Sequence, residues 1–340
     1  MVRQKKQKCS KLLLLSCLAV IGVIWYRSKK SDYSLSMAPR AALAPSNEEL
    51  EQLNEYRARK ERIKEVCQRH NMYRRFSSYA DVFRNHNPLA QGRTGRIRLR
   101  TNHPYGISAC LIHKAASNTV ISFLFIIPPN RKDYYLGNNW HPLSSNTSLL
   151  QPFQNYIRGF PGYFVFMVVR HPFARLVSSY RDRVTHAGGK NDDVKTEVFY
   201  QNPNITLEAL ANYKWVPFDA FIKALLVADV KDSPYVEWDW KPANYVCAPC
   251  NIDYDFIGKV ENISQDIIYL AQRLGLEKEM MNVTGNNPWM HRTTEGDSST
   301  NYVKQYFAQI SKSDIFALYE KYKLDFELFG YDINDLVNQS

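Results

Sequence analysis

Carboxylates are almost missing from the middle of this chain. Between residues 82 and 181 there is a single acid, Asp133, against twelve lysines and arginines. A hundred residues so poor in negative charge describe either a positive site for an anionic ligand or a basic outer face whose acids come from other segments. Acids are also absent from residues 1–30, which carry eight basic side chains. Of the net charge of +11, the remaining 310 residues therefore account for only +3. The high isoelectric point belongs to the N-terminus and gives no reason to expect a nucleic-acid partner. The chain has no internal repeat and no GxxxxGK[ST] loop, which argues against a P-loop nucleotide kinase. A CxxC pair at Cys247 and Cys250 has no second CxxC and no paired histidines, so a zinc site is incomplete and no metal is expected.

Residues 12–26 (LLLLSCLAVIGVIWY) form an uncharged apolar run. It is short against the ~20 residues of a usual spanning helix, but flanking Lys and Arg can snorkel and lengthen it. No small-residue cleavage site follows; Trp25, Tyr26 and Arg27 stand there instead. Five basic residues precede the run and three follow, so the positive-inside rule leaves residues 1–11 as a cytoplasmic tail. The expectation is a signal anchor over 12–26, a Ser/Ala/Pro-containing stem over 27–60 and a lumenal domain over 61–335. Sequons at Asn146, Asn204, Asn262 and Asn282 suit a lumenal body, with a further one at Asn338 close to the end. Four body cysteines, Cys67, Cys110, Cys247 and Cys250, suit disulfides, and three connectivities are open.

Ser46 and Glu49 have the spacing of a capping box. The charged segment 47–70 that follows reads as a solvated helix, because its apolar residues are loosely spaced. Beyond it, strand and helix alternate. Residues 107–113 (ISACLIH), 163–170 (YFVFMVVR) and 254–260 (YDFIGKV) read as strands. Helices are expected over 118–127, 174–184, 264–274 and 302–329. This alternation predicts an α/β domain with a parallel sheet flanked by helices.

Two strand ends carry chemistry for phosphate. After the first strand comes HKAASNTV, in which Lys114, Ala115, Ala116, Ser117, Asn118, Thr119 and Val120 open a helix. Free backbone N–H groups and the helix dipole there favour an anion, and Lys114 adds a point charge. A plain strand–turn–helix would look the same. After the second strand comes VVRHPFARLVSSYRDR. Arg170 can grip a phosphate bidentately, and the Ser178 hydroxyl can add a hydrogen bond.

From Arg170 to Arg181 this string resembles the R-x-P-F-x-R-L-V-S-x-Y-R signature of Golgi carbohydrate sulfotransferases. The similarity is to the group of chondroitin and dermatan 4-O-sulfotransferases with their N-acetylgalactosamine and glucuronyl relatives. PFDAFIKALL (217–226), CAPCNIDYDFIGKVE (247–261) and LYEKYKLDFELFGYD (318–332) extend the resemblance over residues 61–332. It implies a sulfotransferase fold related in outline to nucleotide kinases, a Golgi type II membrane location and a glycan acceptor. The implied donor is 3′-phosphoadenosine 5′-phosphosulfate (PAPS). Residues 114–120 would hold its 5′-phosphosulfate. Arg170, His171, Pro172, Phe173, Ala174, Arg175, Leu176, Val177 and Ser178 would hold its 3′-phosphate. Two departures stand out: the family's 5′ loop reads P-K-x-x-C-[ST]-N-W, where this chain has His113, Ser117, Asn118, Thr119 and Val120, and its His-Trp pair is here Asp239-Trp240. With Lys114 at the leaving oxygen, the acceptor's proton needs a base, and Asp239, Glu237, His186 and His291 are candidates. Arg292, Thr293 and Thr294 are expected to close over the nucleotide. A noncatalytic, glycan-binding relative is the alternative that the 5′-loop departures leave open.

Overall fold

The computed structural model describes residues 46–72, 99–102, 107–126, 151–152, 164–185, 206, 215–231, 236–284 and 299–334. The anchor expected over 12–26, Asn146, Asn204, Asn338, His186, His291 and residues 292–294 lie outside them. Among the described residues, no helix is long and apolar enough to cross a membrane. The chain divides into residues 1–52 and 53–340. In the first unit, Ser46 and Glu49 form the expected capping box. The Ser46 Oγ accepts from the Glu49 N–H at 3.2 Å, and the Glu49 carboxylate accepts from the Ser46 N–H at 2.8 Å.

Helix α1 (Asn47–Arg69) starts at that box. It is not simply solvated: Tyr56, Arg59, Ile63, Val66 and Cys67 are buried along one face. The face is hard to see in the sequence because a charged residue occupies a core position. The Arg59 guanidinium donates to the Asp266 carboxylate at 2.8 Å, to the Ile257 carbonyl at 3.1 Å and to Glu55 at 2.9 Å. Burial raises the Asp266 pKa and Arg59 opposes the rise. Removing one partner of such a pair strands a buried charge. Arg59→Ala is therefore expected to cost about 3–5 kcal/mol in a denaturant titration, whereas Arg57→Ala, on the exposed face, should cost almost nothing.

Among the described residues the sheet has five strands in the order β3-β1-β2-β4-β5. They are β1 (Leu99–Asn102), β2 (Ile107–Cys110), β3 (Gln151–Pro152), β4 (Phe164–Val169) and β5 (Phe256–Lys259). β2, β4 and β5 are parallel, while β1 and β3 add an antiparallel edge. The α/β parallel-sheet expectation is met. Both faces of the parallel strands are covered, which is why they read as continuous apolar runs rather than alternating ones. Along β4, Val165, Met167 and Val169 pack with Val66, Val246, Ile257 and Leu328. Phe166 and Val168 pack on the other face with Ala109, Leu124, Ile267 and Leu270.

The helices after α1 are α2 (Ser117–Ile126), α3 (Pro172–Tyr180), α4 (Phe218–Val227), α5 (Ala243–Cys247), α6 (Ile263–Leu274), α7 (Glu277–Thr284), α8 (Ser299–Phe307) and α9 (Lys312–Phe329). A π-helical turn, Arg181–Thr185, extends α3. The stretch 302–329 falls into two helices because Ser311 caps α9, its Oγ accepting from the Asp314 N–H at 3.1 Å. A separate aromatic core joins α3, α4, α8 and α9 through Phe173, Phe218, Phe221, Phe307, Tyr322 and Phe326. Gly330 ends α9 at φ +63, and a Cβ there would lie 2.7 Å from the Arg62 Nε.

Among the described residues the disulfides are Cys67–Cys250 and Cys110–Cys247. Ala248 closes α5 in the left-handed conformation, φ 46 and ψ 53, and this turn separates the two neighbouring cysteines. One reaches α1 and the other the end of β2. Both cysteines of the CxxC pair are thus consumed, and zinc has no thiolate there.

Candidate active site

Parallel pairing of β2 with β4 puts their C-terminal ends side by side, the usual place for ligands in such sheets. Beyond β2 the chain turns at residues 113–116 before entering α2. Lys114 and Ala116 sit at φ +62 and +53, a region that costs a non-glycine residue about 1–2 kcal/mol. Such strain concentrates where backbone must be held for a ligand. Around the turn, Ser117 and Asn118 are half-buried, whereas Ala115, Thr119 and Val120 are buried, Val120 in the apolar cluster of β2 and α2.

Beyond β4, Arg170 and His171 lead into α3. Pro172 occupies its first turn, where a missing N–H is no loss. His171 caps the helix, its Nδ1 accepting from the Phe173 N–H at 3.2 Å, and its own N–H donates to the Glu261 carboxylate at 3.0 Å. The Glu261 carboxylate also accepts from the Tyr331 hydroxyl at 2.9 Å. His171, Phe173, Ala174, Arg175, Leu176 and Val177 are all buried, so their side chains build the helix's seat rather than a binding surface. Ser178 is half-buried.

Arg170 joins the two strand ends. Its Nη1 donates to the Lys114 carbonyl at 2.9 Å. Its Nε is buried and has no hydrogen-bond partner in the structure. Burial pushes its pKa down to about 10; Glu261 and Tyr331 work against that fall, while Arg175 and Arg181 add to it. Arg170 remains a cation at neutral pH, in surroundings that an anion would improve. Arg181, at the start of the π-helical turn, lies over the Tyr302 ring at 3.6 Å. Arg175, in contrast, is a tie: 1% exposed, it donates to the Asp239 carbonyl at 2.8 Å and to the Lys241 carbonyl. It thereby fixes the 239–241 segment against α3. Trp240 is fixed there too, its indole N–H donating to the Ser179 Oγ at 3.0 Å.

A line of opposite charges crosses the site. The Lys114 ammonium contacts Asp182. Arg183 lies 4.0 Å from Asp182 and bonds the Asp239 carboxylate at 2.6 Å. The second Asp239 oxygen contacts His113 Nδ1. Asp239 is fully buried. Burial would raise its pKa, yet His113 and then Arg183 overcome this and hold it well below the usual carboxylate range. Glu237 is half-buried on the same turn, close enough to Arg183 to act on its charge. Asp182 and Arg183 were missed in the sequence, although they stand directly after the arginine motif. Glu261 and Tyr331 lie in two of the segments that carry the family resemblance, 247–261 and 318–332, but nothing in those segments shows that they meet at the end of β4.

The chain belongs to the sulfotransferase family, whose model matches residues 98–332. Carbohydrate sulfotransferase 9 of Homo sapiens is 33% identical over 167 residues, covering 48% of this chain and 36% of that protein. Carbohydrate sulfotransferase 11 of Mus musculus is 33% identical over 175 residues, covering 50% and 47%. Carbohydrate sulfotransferase 10 of Xenopus laevis is 28% identical over 182 residues, covering 50% and 47%. The chain thus spans half or less of the length of these curated relatives. No solved structure matches it.

Proposed function

We propose that the chain is a carbohydrate sulfotransferase that moves a sulfuryl group from PAPS to a hydroxyl of a glycosaminoglycan or glycoprotein glycan, a chondroitin 4-O-type reaction in the first instance. The observation that carries this reading is Arg170, with a buried, unpartnered Nε beside the Lys114 turn of the neighbouring strand. A cation with an unsatisfied donor, flanked by Arg175 and Arg181, fits the dianionic 3′-phosphate of the donor. The strained turn at 113–116 and the start of α2 suit the 5′-phosphosulfate.

In this reading Arg170 and Ser178 bind and orient the nucleotide end. Lys114 exchanges Asp182 for the oxygen that bridges sulfur and phosphorus, where negative charge grows as the bond breaks. Asp239 serves the acceptor side of the site through His113. Positioning and charge do most of the work, since in-line group transfer of this kind asks little covalent chemistry of the protein. A type II Golgi location with the domain lumenal, and glycosylation at Asn262 on the exposed turn before α6, follow from the same reading.

The test is incubation of the purified protein with sulfur-labelled PAPS and a panel of desulfated glycosaminoglycans and glycoproteins. Labelled glycan and released adenosine 3′,5′-bisphosphate are the expected products. Nucleotide binding without transfer to any acceptor would instead support the noncatalytic glycan-binding relative. Failure to bind the nucleotide at all would overturn the proposal.

A further inference from the structure

We infer that His113 is the base that takes the proton from the acceptor hydroxyl, with Asp239 as the positioning residue that aims its ring. The inference rests on the sulfotransferase reading and adds the proton's route to it. His113 directly precedes Lys114 in the strained turn, so the two side chains leave the same few backbone atoms beside the reacting group. Its Nδ1 contacts a carboxylate that is wholly shielded from water. A buried carboxylate on Nδ1 selects the tautomer with the proton on that nitrogen and leaves the lone pair on Nε2. The His113 side chain is 25% exposed, whereas its Asp239 partner is wholly buried.

Three acids of the site, Asp239, Asp182 and Glu261, are committed elsewhere. Asp239 has one oxygen on His113 and the other on Arg183, and it is held well below the usual carboxylate range, so it is a poor proton acceptor near neutral pH. Asp182 takes the Lys114 ammonium, and Glu261 takes the His171 N–H and the Tyr331 hydroxyl. Asp239 contacts His113 directly, and the same line of charges continues through Arg183, Asp182 and Lys114, with Glu237 beside Arg183. Acids along it favour the protonated ring and cations the neutral one.

The step balances without any further reactant. The acceptor oxygen forms a bond to sulfur while the bond from sulfur to the 5′-phosphate oxygen breaks. The bonding pair leaves with adenosine 3′,5′-bisphosphate beside Lys114. The hydroxyl proton passes to His113 Nε2 and from there to solvent, which resets the neutral ring. Asp239 stays ionised throughout and stabilises the transient imidazolium, with Arg183 keeping it deprotonated.

Steady-state kinetics and binding of adenosine 3′,5′-bisphosphate, measured on the full chain, test this together. His113→Gln is expected to bind the bisphosphate within about threefold of the unaltered protein and to keep its melting temperature. Its kcat should fall about 10²-fold, the low end for loss of a general base. The unaltered protein should show a kcat/KM that rises with pH along a single-proton acid limb, and His113→Gln should lose that limb. Asp239→Asn should keep a limb but move it to lower pH, because the anion that favours the protonated ring is gone. A His113→Gln enzyme with kcat within threefold of the original, or with its acid limb intact, would overturn the inference while leaving the sulfotransferase reading in place. Absence of bisphosphate binding by the unaltered protein would overturn both.

Discussion

Lys114→Ala is expected to lower kcat by about 10²–10³ while the KM for PAPS changes far less. That is the range seen when one preorganised charge is removed from developing negative charge. The bridging oxygen gains charge only as its bond to sulfur stretches, so an ammonium beside it helps the transition state more than the bound donor. In the structure Lys114 rests against Asp182, which is about half exposed. Breaking that contact on donor binding costs little, since exposed ion pairs contribute about 0–1 kcal/mol. The binding term is therefore small and the catalytic term dominates. Lys114→Arg should rescue only part of the rate, because a planar fork does not reproduce a compact point charge. The backbone at φ +62 is equally strained in all three proteins, so they should melt together. The check is PAPS varied at saturating acceptor. An effect confined to KM would remove Lys114 from the chemistry and leave it a ground-state phosphate ligand.

Arg170→Ala has the complementary signature. Affinity for adenosine 3′,5′-bisphosphate should fall about 10²–10⁴-fold, since two charge-assisted hydrogen bonds at ~1.5–3 kcal/mol each are lost. Adenosine 5′-monophosphate, which lacks the 3′-phosphate, should bind the altered and unaltered proteins alike. The substitution also removes the bond to the Lys114 carbonyl, so a modest fall in kcat is expected as the turn loosens. Calorimetric titration with both nucleotides decides the matter. Equal losses for the two would mean that Arg170 supports the fold of the turn and does not recognise the 3′-phosphate.

The parts of this site that are local in the chain could be read from it. Lys114 and Arg170 each end a strand and open a helix, and strand, turn and helix signals all lie within a few residues. The α/β class followed from the same alternation. What stayed hidden depends on partners far away in sequence. His113 and Asp239 were read as two separate departures from the family pattern, yet their side chains touch. Arg175 looked like another phosphate ligand because it stands in a basic motif, but the 239–241 carbonyls claim it. Arg59 hid the buried face of α1 because the carboxylate that permits its burial is Asp266, on α6. Periodicity rules register apolar residues and cannot anticipate a paired charge in a core position. The break between α8 and α9 was within reach, because Ser311 and Asp314 have capping spacing.

The cysteine pattern also imposes an order on biosynthesis. Cys67 and Cys110 have partners 183 and 137 residues downstream, both inside one four-residue segment. At ~5–20 residues per second, Cys250 emerges roughly 10–40 s after Cys67. Once Cys110 and then β4 have emerged, and until Cys250 follows, β2 and β4 exist without β5, and among the four cysteines of the described residues the first two have only each other to meet. The earliest bond open to that pair is one the finished fold does not contain. Its conversion needs thiol–disulfide exchange, attack by a later thiolate through a mixed intermediate. Yield of the mature protein should accordingly follow the supply of a disulfide-exchange catalyst more closely than the supply of oxidant.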